Sequence, residues 1–84
     1  MKTKYIRMGH NMLIFPDYMI HSEVAQPYLN KGCLIHSAGF LYVDTNKDGD
    51  ITVECYGESI SLDKASRKDD YKLAEKVLGF RYDY

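Results

Sequence analysis

Oxygen-bearing side chains recur at every second position of one short segment, between residues 44 and 50. They are Asp44, Asn46, Asp48 and Asp50, with Gly49 between the last two. A hard cation such as Ca²⁺ takes several oxygen ligands from a tightly turned backbone, and this spacing supplies them. The segment is therefore a candidate calcium site.

The run Asp44-Thr45-Asn46-Lys47-Asp48-Gly49-Asp50-Ile51 resembles the loop of EF-hand and dockerin calcium sites, a likeness that covers eight residues. It departs from them where a bidentate carboxylate belongs, because Cys55 stands there. Asp, Asn and Gly also suit a hairpin turn for backbone reasons alone. We predict a turn, expect no cofactor, and keep calcium binding as the alternative.

The flanks of this segment alternate in polarity as strands do. Ile51, Val53 and Cys55 alternate with Thr52, Glu54 and Tyr56. The apolar positions of two paired strands must meet on one face. A three-residue loop with Gly49 left-handed then pairs Val43 with Val53 and Leu41 with Cys55. In the alternative register one strand is shifted by two residues, so that Val43 lies opposite Ile51 and Leu41 lies opposite Val53.

The other face of this hairpin is predicted to be aromatic, with Phe40, Tyr42 and Tyr56 side by side. The chain holds 8 tyrosines and no tryptophan. Tyr joins an apolar ring to a polar tip, which suits protein interfaces. We interpret the three residues as a partner-binding surface covered by a helix, by another protein or by a second copy in a homodimer.

The rest of the chain completes an α+β fold with a small antiparallel sheet in one domain, 1–84. We predict strands at 4–8, 12–15, 33–43 and 51–57, a short helix at 22–30 and a C-terminal helix at 66–78. Ser22 and Ser66 are the predicted N-caps. The apolar stripe of the second helix is predicted to be Tyr71, Ala74, Val77 and Leu78, with Phe80 and Tyr82 folded back on the core.

Lysines at every fourth position predict a basic line along the C-terminal helix. The residues are Lys64, Lys68, Lys72 and Lys76, with Arg67 beside them. Such a line suits phosphate groups, so nucleic-acid binding is a second alternative. Interspersed acidic residues favour a solvated helix face, and we expect no nucleic-acid partner.

Composition limits the classes of function. The 84 residues have a net charge of −1 and 2 cysteines, which gives no general attraction to nucleic acid and no disulfide scaffold. The sequence has no bilayer-length apolar run and no signal peptide, so we expect a cytoplasmic protein without a membrane partner. No nucleophile elbow or phosphate loop is present, and we expect neither an enzyme nor a small-molecule substrate.

Short motifs in the C-terminal half resemble small uncharacterised proteins encoded by phages and prophages. They are Ala38-Gly39-Phe40, Cys55-Tyr56-Gly57-Glu58-Ser59, Ser61-Leu62, Ser66-Arg67-Lys68-Asp69-Asp70 and Leu78-Gly79. The resemblance carries no assigned chemistry. It implies a partner-binding accessory role, such as modulation of a host protein.

The two interpretations of the 44–50 segment predict different responses to calcium. A turn that needs no ion gives the same melting temperature in calcium and in chelator. A calcium site raises the melting temperature with calcium concentration, because a ligand that binds only the folded state stabilises it. Circular dichroism melts in both buffers measure this, and we expect no difference.

Overall fold

The structure is a computed structural model that describes residues 2–45, 47–49 and 51–78. It has the predicted α+β fold. In chain order the elements are β1 (Thr3–Met8), β2 (Asn11–Pro16), α1 (His21–Asn30), β3 (Ser37–Thr45), β4 (Ile51–Tyr56), β5 (Glu58–Ser59), β6 (Lys64–Ala65) and α2 (Asp70–Val77). Within these ranges no helix is long and apolar enough to cross a membrane.

Four of the strands form one antiparallel sheet in the order β2-β1-β3-β4. The predicted hairpin register is confirmed, since Val43 lies opposite Val53 and Leu41 opposite Cys55. Gly49 is left-handed, with φ of 86°. The strands β5 and β6 form a separate two-stranded ribbon rather than extending the sheet.

Each face of the sheet packs against a different helix. On one face Tyr5, Leu41 and Val53 pack around Ala74 of α2. On the other face Ile6 and Ala38 pack around Ala25 of α1, which places two small cores back to back. We call these the α2 face and the α1 face. Because side chains alternate along a strand, the even-numbered residues of β3 and β4 lie on the α1 face.

The short helix begins one residue earlier than predicted, and Ser22 is not its N-cap. Ile20 occupies that position and makes no side-chain capping bond. The backbone N–H of Ser22 is instead satisfied by the hydroxyl of Ser61, at 3.2 Å. A tertiary contact thus replaces a local cap, and the helix continues past Pro27 to Asn30.

The C-terminal helix begins at Asp70, so the predicted capping box at Ser66 does not form. The Asp70 carboxylate accepts the backbone N–H of Arg67 at 2.9 Å, which holds residues 67–70 in a turn before the helix. The buried stripe also differs from the prediction. Asp70 and Ala74 are buried, whereas Tyr71 and Val77 are exposed.

Gly39 allows the backbone of β3 to approach the backbone at Tyr56 closely. A Cβ atom at Gly39 would lie 2.5 Å from the carbonyl oxygen of Tyr56, so the main chain would have to move. We expect Gly39→Ala to destabilise the protein by about 1–3 kcal/mol through overpacking. Denaturant unfolding measures it, with Thr45→Ala at an exposed end of the same strand as control. An unchanged unfolding midpoint for Gly39→Ala would contradict this packing.

Candidate functional site

The aromatic residues predicted to bind a partner lie on the α1 face of the β3–β4 hairpin. Phe40 is opposite Tyr56 in the register, and their rings stack with centroids 5.8 Å apart. Tyr42 follows one row further along and lies opposite Glu54. Phe40, Tyr42, Glu54 and Tyr56 are called here the aromatic surface.

The chain covers this surface only in part. Helix α1 packs over the half of the face formed by β1 and β2, where it buries Ile6 and Phe15. Phe40 at the boundary is half-buried, with the His21 ring edge-on at 6.0 Å. Tyr56, opposite Phe40, is 40% exposed, and Tyr42 in the next row is 44% exposed. The described residues therefore leave the two outer rows, Tyr42–Glu54 and Asp44–Thr52, open to solvent.

Charge on the aromatic surface is divided between its inner and outer rows. At the inner row the ammonium group of Lys2 lies 4.7 Å from the centroid of the Phe40 ring, a cation–π contact. The outer rows carry Glu54 and Asp44, both exposed, and the strands β3 and β4 contain no basic residue. The open part of the surface is thus aromatic and acidic.

A polar cluster is buried between the α2 face of the sheet and α2 itself. Asp70 is fully buried at 0% exposure and lies against Tyr5 and Arg7 of β1. Its Oδ1 accepts a hydrogen bond from Arg7 Nη1 at 2.9 Å, and its Oδ2 accepts bonds from the Tyr5 hydroxyl and the Arg67 N–H. Such a carboxylate is compatible with burial because it is paired and hydrogen-bonded.

The pKa values in this cluster follow from its geometry. Burial raises the pKa of Asp70, but the hydrogen bonds from Tyr5, from Arg67 and from Arg7 outweigh it and hold the pKa below its ordinary value. Burial and the neighbouring carboxylate raise the pKa of the Tyr5 hydroxyl. Burial likewise raises the pKa of the adjacent Cys55 thiol to about 12, so the thiol is protonated at neutral pH.

This cluster has a structural role. Tyr5 and Asp70 are both completely buried. What the cluster does is fix the first turn of α2 on β1, more than 60 residues away in sequence. Ser37 Oγ is buried beside the Asp70 carboxylate and helps to lower its pKa, although the contact does not have the geometry of a full hydrogen bond.

Sequence reasoning missed this cluster because it assigned Asp70 to a solvated helix face. A signal was present: Asp70 stands at the helical spacing of Leu73, Ala74 and Leu78, which pack into the core. A charged residue on an apolar stripe requires a partner. Arg7 and Tyr5, two residues apart on one strand, share a face and supply it.

The candidate metal ligands are described only in part. Asp44 and Asp48 lie at the tip of the β3–β4 hairpin, whereas Asn46 and Asp50 fall outside the described residues. The segment joins two strands, as the turn interpretation requires. Within residues 2–45, 47–49 and 51–78, no three His, Cys, Asp or Glu side chains come together as metal ligands.

The predicted lysine line is not continuous along one helix. Only Lys72 and Lys76 lie on α2, since the helix begins at Asp70. Lys64 belongs to β6, and Arg67 and Lys68 lie in the connection to α2. All five side chains are exposed, so a shared basic surface stays a prediction.

A second open apolar feature is a groove beside the β1–β2 turn. Met8, Met12, Leu13, Tyr28 and Val77 line it together with Leu34, which is 86% exposed. Its volume is roughly 630 Å³. The predicted return of Phe80 and Tyr82 to the core lies outside the described residues.

Comparison with known proteins gives no assignment, because neither a family model, nor a curated protein, nor a solved structure matches the chain. The arrangement of the residues themselves is thus the basis for a functional proposal.

The two adjacent aspartates at the start of α2, Asp69 and Asp70, give a matched test of the buried cluster. Asp70→Asn leaves Arg7 and the Tyr5 hydroxyl without their anionic acceptor, and we expect a loss of about 3 kcal/mol in the free energy of unfolding. Asp69 lies 3.4 Å from the same Arg7 nitrogen but its side chain is 61% exposed, so Asp69→Asn should cost about 0.5 kcal/mol or less. Equal losses in urea unfolding would contradict the assignment.

The buried His21 predicts a second, pH-dependent effect. Its Nε2–H donates to the carbonyl of Gly39 at 3.0 Å, and the ring packs edge-on against Phe15. Burial lowers the pKa of His21, and the charge of Lys4 acts in the same direction. The carboxylate of Glu58 lines the same cleft.

Because the pKa of His21 is lower in the folded state, the unfolded state takes up a proton first as the pH falls. Stability should therefore be full above the ordinary histidine pKa of about 6.5 and should fall as the pH drops below it. Thermal melts from pH 7.5 to 5.5 measure this fall. His21→Gln, which keeps a donor for Gly39, should flatten the profile, and an equally steep profile in the variant would remove His21 as its source.

Proposed function

We propose that this chain is a small, non-enzymatic protein-binding module that engages another protein, or a second copy of itself, through its aromatic surface. The observation that carries the proposal is the exposure of Tyr42 and Tyr56 side by side on a sheet face whose other half is covered by α1. Rigid aromatic side chains on a sheet are typical anchors of protein interfaces, since little side-chain entropy is lost when they bind.

The remaining features support a binding role over a catalytic one. The cluster of ionisable groups around Asp70 ties β1 to α2, and its Tyr5 and Asp70 side chains are completely buried. Cys55 is held protonated at neutral pH. A partner-binding accessory role, such as modulation of a host protein, is also what the resemblance to phage and prophage proteins implies.

Site-specific photo-crosslinking in cells tests the proposal. A benzophenone amino acid at position 42 should give an adduct with one partner, because Tyr42 lies in the exposed row of the surface. The same amino acid at position 72, an exposed site on α2, is the matched control and should give none. An adduct of twice the chain's mass would identify a second copy.

The effect of Tyr56 on the yield of the position-42 adduct distinguishes a specific interface from accidental crosslinking. Tyr56→Ser removes the stacked ring without touching the core, and it should lower the yield of the position-42 adduct by about threefold or more. Equal adducts from positions 42 and 72, or a yield that is insensitive to Tyr56→Ser, would refute the proposed function.

A further inference from the structure

The aromatic surface combines two features that together recognise positive charge. Tyr42 and Glu54 face each other across β3 and β4, and Tyr56 lies beside them on the same strand as Glu54. Cβ atoms of directly opposed residues in a sheet lie about 5 Å apart. A ring face and a carboxylate are thus within reach of one cationic side chain.

The chain itself shows that this face accepts a cation. The ammonium of Lys2 sits over the Phe40 ring in the inner row. The next row has an exposed ring and an exposed carboxylate, yet no ion pair to Glu54 forms within the described residues. Residues 32–62 carry five acidic side chains and one basic one, so the hairpin itself is acidic, whereas Lys2 and Lys4 of the β1 segment lie beside the Phe40 row.

The edge strand β4 indicates the direction in which a partner segment would run across this surface. Within the described residues β4 pairs with β3 on one side only, and no described strand pairs with the backbone groups along its other edge. Edge strands are commonly protected by Lys or Pro, and β4 (ITVECY) contains neither. An extended segment laid along β4 would place every second side chain on the face of Thr52, Glu54 and Tyr56.

Resting on the proposed function, we infer that the partner of the aromatic surface is an extended protein segment with Lys or Arg at alternate positions, added along the edge of β4. Its cationic side chains lie over Tyr42 and Tyr56 and pair with Glu54, as Lys2 lies over Phe40. An exposed ion pair or cation–π contact strengthens binding only a few-fold, so recognition depends on several such contacts in register.

Fluorescence anisotropy with synthetic peptides tests this partner chemistry on the full chain. The probe is a labelled octapeptide of alternating Arg and Thr. The comparison peptides are an octapeptide of alternating Glu and Thr and one with four Arg followed by four Thr. We expect the alternating Arg peptide to bind at low salt, at least about threefold more tightly than the block peptide and with measurable weakening at higher salt.

Two charge-neutralising variants locate the site. Glu54→Gln should weaken binding of the alternating Arg peptide by about two- to fivefold, the contribution of one exposed ion pair. Glu23→Gln, an equally exposed change on α1, should leave it unaltered. Both positions are on the surface, so thermal melts should show that both variants fold.

Several outcomes overturn the inference. They are no binding of the alternating Arg peptide up to millimolar concentration, equal binding of the Glu peptide, or equal effects of Glu54→Gln and Glu23→Gln. A position-42 adduct of twice the chain's mass would assign the surface to a second copy instead. If crosslinking at position 42 depends on Tyr56 while the peptides fail, the binding function stands and only the basic partner is rejected.

Discussion

The arrangement of this small protein depends on one buried carboxylate. Asp70 begins α2 and is held by Arg7, by the hydroxyl of Tyr5 and by a backbone N–H. A buried charge is costly unless every oxygen is paired, so this geometry admits few alternatives. It fixes the start of α2 on the central strand β1, and the helix then covers Met12 and Val53 toward opposite edges of the sheet.

On the other face of the sheet, helix α1 covers only part of the strands, and we propose that the uncovered part binds a partner. Helix α1 lies over β1, with its first turn joined to the ribbon region through Ser61. It reaches as far as Phe40, which contacts His21, and leaves Tyr42 and Tyr56 uncovered. The chain has only two helices of 10 and 8 residues in its described part, too little to cover both faces of four strands completely.

The hairpin could be predicted from sequence in detail because its determinants are local. Alternating polarity from Ile51 to Tyr56, and a glycine able to be left-handed at the turn, restrict the register to a few choices. The aromatic residues on one face follow from the same parity. Asp70 could not be assigned in this way, because its partners lie 63 and 65 residues away and a charge in a helical pattern is ordinarily solvent-facing. The two helix starts differ from the prediction for different reasons. At α1 the distant Ser61 hydroxyl accepts the Ser22 N–H, whereas at α2 the Asp70 carboxylate, which is held by Arg7 and Tyr5, accepts the nearby Arg67 N–H.

This arrangement requires that Asp70 be ionised and fully hydrogen-bonded in the folded protein. Its side-chain carboxyl ¹³C shift, followed by NMR as the pH is lowered, tests this directly. We expect Asp70 to stay ionised as the pH falls through the ordinary aspartate pKa of about 4, and to take up a proton only at lower pH or on unfolding. Protonation of Asp70 at or above that range, in a chain that is still folded, would contradict it.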